Sequence, residues 1–309
     1  GCVNAMYEYG LDLYNGKCFN YIDKEKASHF FKKAADNGHS SAMYSYGYMK
    51  LIGDGISIDK EEGIEYIKKA IDLKNSQATL EYADMLYHGN YFAENKEEAA
   101  KYYKISADEG NTDAMIKYGD MLLNGDGIQS NIKEAIKYYK LGIYQKNSEA
   151  MFKYATILYD GKFIPMDKKE SAIYFKMAAD EGHYNSMFKY ATMLSNGEGI
   201  LMDKIEAIKY FKKSIDKGNP SAMLEYATIL YNGEGIESNK EESIKYLKMA
   251  SERGNSEAMF YYASELYLNG DKKEAAKYYK KSAEKGNVES MFSYAHMLDK
   301  RDGIPMNKL

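Results

Sequence analysis

Tryptophan is absent from this 309-residue chain, and histidine, proline and cysteine number only five, three and two. Two cysteines exclude a disulfide scaffold. Cys2 and Cys18 would flank a helix of about 12 residues, roughly 18 Å long, and a bridge needs Cα atoms within about 7 Å. They read as free thiols, which fits a reducing compartment, and a cytoplasmic setting is expected. The histidines His29, His39, His88, His183 and His296 include no pair at metal-ligand spacing. No Ser, His and Asp recur in an arrangement that suggests a nucleophile, so no residues are nominated as catalytic, metal-binding or cofactor-binding. No run of 18 apolar residues is present, so no membrane span is expected. The opening "GCVNAMYEYG" has neither the basic nor the apolar region of a secretory signal. Charge gives no lead to nucleic acid: 42 basic and 46 acidic residues are mixed along the chain, for a net −4, without a basic stripe.

What the chain has in excess is tyrosine, 32 of them, and a repeat. The motif "AM..Y(A/G)" occurs as "AMYEYG", "AMYSYG", "ATLEYA", "AMIKYG", "AMFKYA", "SMFKYA", "AMLEYA", "AMFYYA" and "SMFSYA". Its second residues are Met6, Met43, Thr79, Met115, Met151, Met187, Met223, Met259 and Met291, separated by 37, then six times 36, then 32 residues. A fixed period of this size means stacked supersecondary units rather than separate domains. The last step is short because "NGDKKEAAKYY" lacks residues present in "NGEGIESNKEESIKYL". The chain begins with Gly and its ends fall at or inside repeats, so it reads as a segment of a longer protein.

Each unit reads as two helices. The first is capped by Asn or His at positions 39, 75, 111, 147, 183, 219, 255 and 287, with Pro220 at a first helical position, where its missing N–H costs nothing. Gly197, Gly233 and their equivalents supply the left-handed residue that ends it. The second opens with a capping box, repeated as Asp59/Glu62, Asn95/Glu98, Asn131/Glu134, Asp167/Glu170, Asp203/Glu206, Asn239/Glu242 and Asp271/Glu274. The intervening "NGEGI" (196–200 and 232–236) tempts a phosphate-loop reading. Other copies vary to "NGKCF", "IGDGI", "HGNYF" and "DGKFI", no Lys-Ser/Thr follows and no strand precedes. The loop is therefore punctuation between helices, with Ile236 placed to drop into the groove.

The pattern "A(M)..Y(A/G)..L..G.GI..D...A..Y(Y/F)..AA..G", with its terminal "AADNG" (34–38) and "AADEG" (178–182), resembles the Sel-one-like repeat (SLR) family over essentially the whole chain. The 34-residue period and late Pro of the usual tetratricopeptide consensus are missing. The resemblance implies an all-α, right-handed α-solenoid of antiparallel helix pairs: eight full repeats plus the first helix of a ninth, forming one domain over 1–309. It also implies an adaptor that organises complexes in quality control, virulence or signalling, beside catalytic or membrane segments in some relatives. Some secreted bacterial members carry a cysteine pair in each repeat. This chain departs from them, so their extracellular setting is not carried over.

In the first helix, apolar residues fill nearly every side, and a methionine once per unit is what a flexible core filler looks like, rather than a soft-metal stripe. Counting from that methionine, only positions +2 and +5 stay polar and variable, and three residues apart they share a face. They run Glu81/Asp84, Lys117/Asp120, Lys153/Thr156, Lys189/Thr192, Glu225/Thr228 and Tyr261/Ser264. In tetratricopeptide-like solenoids the first helix lines the concave surface, so these residues are expected on a groove floor. Lys117, Lys153 and Lys189 then form a short basic ladder suited to an acidic peptide or a C-terminal carboxylate. The doublets Tyr102/Tyr103, Tyr138/Tyr139 and Tyr278/Tyr279 place one ring in the core and its neighbour against the next unit.

The expected function is a non-enzymatic scaffold that binds a partner protein or peptide on the concave face. Two other classes compete: a repeat region serving a catalytic domain outside the segment, and a single-stranded RNA reader, which the mixed charge disfavours. The expected state is a monomer, or a weak homodimer through repeat ends where Phe292 and Leu298 lie bare. The shortened step near Gly270 predicts that 259–309 frays first.

Overall fold

A computed structural model of the chain describes residues 2–17 and 21–303. Cys18, and with it the Cys2–Cys18 separation, lies outside the described residues; Cys2 is an exposed thiol. The described residues form seventeen helices and no strand. They are α1 (Val3–Asn15), α2 (Lys24–Asp36), α3 (Ser40–Ile52), α4 (Lys60–Asp72), α5 (Ser76–His88), α6 (Lys96–Asp108), α7 (Thr112–Asn124), α8 (Ile132–Tyr144) and α9 (Ser148–Asp160). There follow α10 (Lys168–Asp180), α11 (Tyr184–Asn196), α12 (Lys204–Asp216), α13 (Pro220–Asn232), α14 (Lys240–Glu252), α15 (Ser256–Leu268), α16 (Lys272–Glu284) and α17 (Val288–Lys300). Eight helix pairs and one further first helix are thus present, packed in sequence order as a solenoid. The chain divides into two compact units, Gly1–Ala150 and Met151–Leu309. In the first, α1 packs on α2, α3 on α4, α5 on α6 and α7 on α8, and each second helix also meets the next first helix. The second unit repeats this from α11/α12 to α15/α16, with α17 against α16.

The helix ends follow from local chemistry. Asn75, Asn111 and Asn255 accept from the backbone N–H three residues on, at 2.8–3.0 Å. His39 and His183 do the same through Nδ1, at 3.1 and 3.2 Å. Gly197 and Gly233 close their helices in the left-handed region, with φ of 70° and 74°. In the second helices Asp59, Asn95, Asn131, Asp167, Asp203, Asn239 and Asp271 each accept from the N–H of the glutamate three residues on.

The reciprocal half of the capping box is not made as expected. The cap residue's own N–H is already taken by an orphan carbonyl at the end of the preceding helix: Asn95 donates to Leu86, Asn131 to Leu122 and Asn239 to Leu230, each at 2.8 Å. The glutamates therefore turn elsewhere. Glu98 and Glu134 accept from the side-chain amides of Asn95 and Asn131, both at 3.1 Å. Glu62 takes Lys50 at 2.8 Å and Lys32 at 3.1 Å. Those bonds, Lys50 first, hold the Glu62 carboxyl down at about 2.

Tyrosine supplies most of the aromatic core. In repeat after repeat the motif tyrosine of the first helix meets a tyrosine of the second edge-on. Tyr46–Tyr66, Tyr82–Tyr102 and Tyr118–Tyr138 in the first unit lie 4.8–5.0 Å apart between ring centres. Tyr154–Tyr174, Tyr190–Tyr210, Tyr226–Tyr246 and Tyr262–Tyr278 in the second span the same range. Such edge-to-face pairs contribute about 0.5–1.5 kcal/mol each beyond area burial. Around them sit the motif methionines, with Met115, Met151, Met187, Met223 and Met259 all buried, as core fillers should be.

Candidate protein-binding face

The packing of the first helices leaves few side chains to face anything else. Within 78–86 of α5, 114–122 of α7 and 222–230 of α13, every residue is buried except positions +2 and +5: Glu81 and Asp84, Lys117 and Asp120, Glu225 and Thr228. Lys153, Thr156, Thr192 and Tyr261 are likewise half-buried or exposed, and Lys189 is exposed. Phe188 is only partly buried.

Position +5 is engaged within its own repeat, which sequence reasoning missed. In the first unit Asp84 accepts from the buried Tyr103 hydroxyl, and Asp120 from Tyr139 at 2.7 Å. Burial, and then these aspartates, push both phenols well above the ordinary tyrosine range. In the first two repeats of the second unit the ring at the equivalent place is Phe175 or Phe211, which has no donor, and +5 is threonine; in its last pair Tyr279 meets Ser264 at 3.0 Å. Thr156 and Thr192 bond back to the Phe152 and Phe188 carbonyls at 2.8 and 3.0 Å. The signal was in the sequence: Asp at 84 and 120 goes with Tyr at 103 and 139, Thr at 156 and 192 with Phe at 175 and 211.

The +2 residues carry the accessible charge. Lys117 Nζ lies 2.6 Å from Asp84, and Glu81 accepts from Gln77 at 2.9 Å. Lys189 stands 5.6 Å over the Tyr159 ring. The three lysines divide between the units, Lys117 in the first, Lys153 and Lys189 in the second.

A second missed arrangement joins successive repeats. In five loops the residue at 54, 126, 198, 234 or 302 is an acid that meets the first lysine of the previous second helix, in four of them together with a tyrosine from the last turn of the previous first helix; the loops with Asn90 and Lys162 carry no acid at that place. In the first unit Asp54 takes Lys24 and Tyr14, both at 2.6 Å, and Asp126 takes Lys96 at 3.0 Å and also Tyr87. In the second, Glu198 takes Lys168 at 2.6 Å and Tyr159 at 2.8 Å, and Asp302 takes Lys272 at 2.9 Å and Tyr267 at 2.8 Å. Lys204 meets Glu234 at 2.6 Å with Ser195 in the tyrosine's place. The second glycine is required because this loop lies on the lysine backbone: a Cβ at Gly199, φ 74°, would collide with the Lys168 carbonyl. Lys168, then Tyr159, draw the Glu198 carboxyl down to about 2. The loop is a clamp between successive repeats.

Helix pairs stacked in register, with a core of tyrosine and methionine and one polar strip per first helix, define a helical-repeat solenoid. Residues 3–39, 40–75, 76–111, 112–147, 148–183, 185–219, 220–255 and 256–287 each match the Sel1 repeat. The chain belongs to the Sel1 repeat family, whose fold is typical of protein–protein interaction scaffolds. A protective antigen of uropathogenic Escherichia coli displaying an SLR fold is similar in structure, with a TM-score of 0.82 at 23% identity over 99% of this chain. This chain spans 66% of that protein's length. A Sel1 repeat protein from Oxalobacter formigenes matches with a TM-score of 0.64 at 25% identity, over 79% of this chain and 96% of its own. No curated protein matches the chain. Among the described residues, no group of His, Cys, Asp and Glu is arranged to hold a metal, and no helix is long and apolar enough to cross a membrane.

Proposed function

We propose that this chain is a non-enzymatic scaffold, its repeats acting as one interaction domain, and that it binds a protein or peptide along the face of its first helices. The observation that carries the reading is the exposure pattern: packing consumes every other position of 78–86, 114–122 and 222–230, and leaves the variable +2 and +5 side chains outward. Energetics then separates the two positions. A buried hydroxyl bonded to a carboxylate contributes about 1.5–3 kcal/mol, whereas an exposed ion pair contributes about 0.2–1 kcal/mol. Asp84 therefore stays with Tyr103, while Lys117 can leave Asp84 for a ligand. Selectivity falls to the +2 residues Glu81, Lys117, Lys153, Lys189, Glu225 and Tyr261, with Asp84, Asp120, Thr156, Thr192 and Thr228 as their framework. The lysines favour an acidic segment or a C-terminal carboxylate, and the thiol of Cys2 fits a cytoplasmic setting.

The test is affinity capture from a lysate of the cells that make the protein, comparing the native chain with a Lys117→Glu, Lys153→Glu, Lys189→Glu variant of equal thermal stability. Partners lost only with the variant are expected. Partners kept by both would move binding to another face and overturn the lysine reading.

A further inference from the structure

In the second unit, the place filled by Phe175 and Phe211 in two repeats is taken by Leu247 in the next. A cavity of about 360 Å³ lies there, lined by α13, α14 and α15; its counterpart over Tyr103 in the first unit, about 350 Å³, is lined instead by the charged Lys117, Asp120 and Asp126. Ala227 and Leu247 give it an apolar floor, Tyr231 and Tyr261 stand at its walls, and Glu265 lies on its edge. The hydroxyls within it are already engaged. Ser243 donates to the Ala227 carbonyl at 2.7 Å, Thr228 to Leu224 at 3.1 Å and Ser264 to Phe260 at 3.0 Å. A guest gains there by burying apolar surface rather than by hydrogen bonding.

The same seam lacks the clamp found on either side of it. Lys204 and Lys272 meet Glu234 and Asp302, but the short loop at 269–271 brings Lys240 no carboxylate within ion-pair distance among the described residues. Lys240 rests instead 4.8 Å over the Tyr231 ring. On the Tyr261 side of the mouth, away from Lys240, the charge is negative. The Tyr261 hydroxyl, 43% of whose residue surface is exposed, lies in the field of Glu257, Glu289 and Glu225. Crowding by protein, then the charge of Glu257, holds the Glu225 carboxyl above its usual value, with Lys204 opposing.

We propose that this pocket takes a bulky apolar side chain, a phenylalanine or leucine, from a partner segment in which that residue is flanked by lysine or arginine. The floor supplies the anchor site and the carboxylates supply the choice of neighbours, since charge complementarity around a buried anchor sets selectivity. The inference rests on the scaffold reading and assigns this stretch of the face a ligand opposite in charge to the one expected at the lysines.

Fluorescence polarisation with the intact chain tests it. The probe is a fluorescein-labelled heptapeptide with a central phenylalanine and lysines on both sides; controls replace the phenylalanine by alanine or the lysines by glutamate. Binding of the lysine–phenylalanine peptide, at least tenfold tighter than either control, is expected. Leu247→Phe, the residue of the two preceding repeats, narrows the apolar floor and is expected to weaken binding at least tenfold. Thr228→Tyr, which obstructs the mouth from an exposed position, should do the same if Leu247→Phe fails to fold. Glu225→Gln with Glu257→Gln is expected to cost several-fold. Equal affinity for the Leu247→Phe and native chains, equal binding of the glutamate peptide, or no binding at all would overturn the proposal. So would self-association abolished by Leu247→Phe, which would assign the pocket to a second copy. The lysine triple variant leaves this pocket intact, so a partner lost there while the peptide fails here sinks this inference alone.

Discussion

The two units solve one problem with different pairs of residues. Beneath position +5 lies a large side chain of the second helix, 1% exposed or less at both Tyr139 and Phe175. Where it is Tyr103 or Tyr139, in the first unit, the hydroxyl reaches the surface position and an aspartate receives it; Tyr279, in the second, meets Ser264 instead. Where it is phenylalanine, in the second, no donor arrives and a threonine satisfies itself on its own helix. A residue that looks free to vary on the surface is thus chosen from beneath. The difference also separates shape from hydrogen bonding, because the ring fills the same place in both.

Removing the ring should show what the units share. Tyr139→Ala and Phe175→Ala are each expected to cost about 3–5 kcal/mol, measured by urea unfolding. A loss in one more than twice that in the other would mean the two rings do not fill equivalent space. Transplanting the pair probes what differs. Thr156→Asp sets a carboxylate against a phenyl ring and should cost about 1–3 kcal/mol, with Phe175→Tyr in the same chain recovering at least half. A double variant no better than the sum of the singles would show that the Asp120–Tyr139 bond is incidental.

Acid tests the paired carboxylates, Glu62 bonded first within its own repeat and Glu198 across a seam. Glu62 and Glu198 sit at about 2 in the folded chain, below the ordinary glutamate value, held there first by Lys50 and Lys168 respectively. Their contribution is fully present above the unfolded value of about 4.3 and is lost as pH falls from there towards 2. The urea midpoint should drop between pH 5 and pH 3, and less in Glu198→Gln. An unchanged slope in that variant would remove Glu198 from the clamp. The smallest effect is expected of Lys168→Met, a slight fall in the urea midpoint that vanishes in high salt. Along the chain, amide exchange should be fastest over 259–303, where the loop is short; protection there equal to that of α11 and α12 would refute it.

Much of this could be read in the letters because caps are local. Asn75, Asn111 and Gly233 fix helix ends from residues within four positions, so boundaries and repeat number were legible. The capping box was half wrong for the same reason. The competing acceptor, Leu86 for Asn95, lies across the loop, beyond the local pattern. The clamp was not seen because Tyr14, Lys24 and Asp54 belong to three different elements, and the sequence shows each only as an unremarkable polar residue. The +2 and +5 positions were recognised as exposed, but polarity alone does not reveal that a hydroxyl 19 residues on, Tyr103 for Asp84, engages one of them. The excess of tyrosine was plain in the composition; its use in edge-on pairs required the packing of two helices.

The clamp bears on how such a chain can change its length. Because the acid of one loop closes on a lysine and a tyrosine of the repeat before it, the interlocked segment straddles the boundary between helix pairs. Where both repeats carry the acid and the lysine, gaining or losing a whole 36-residue step rejoins them across the new seam, so the array can lengthen or shorten there by duplication without a lock having to be invented; the loops with Asn90 and Lys162 bring no acid to their seams. Trimming the loop itself does the opposite. The 32-residue step between Met259 and Met291 keeps both its helices and gives up the lock, and inheritance by copying then preserves that open seam as faithfully as the closed ones.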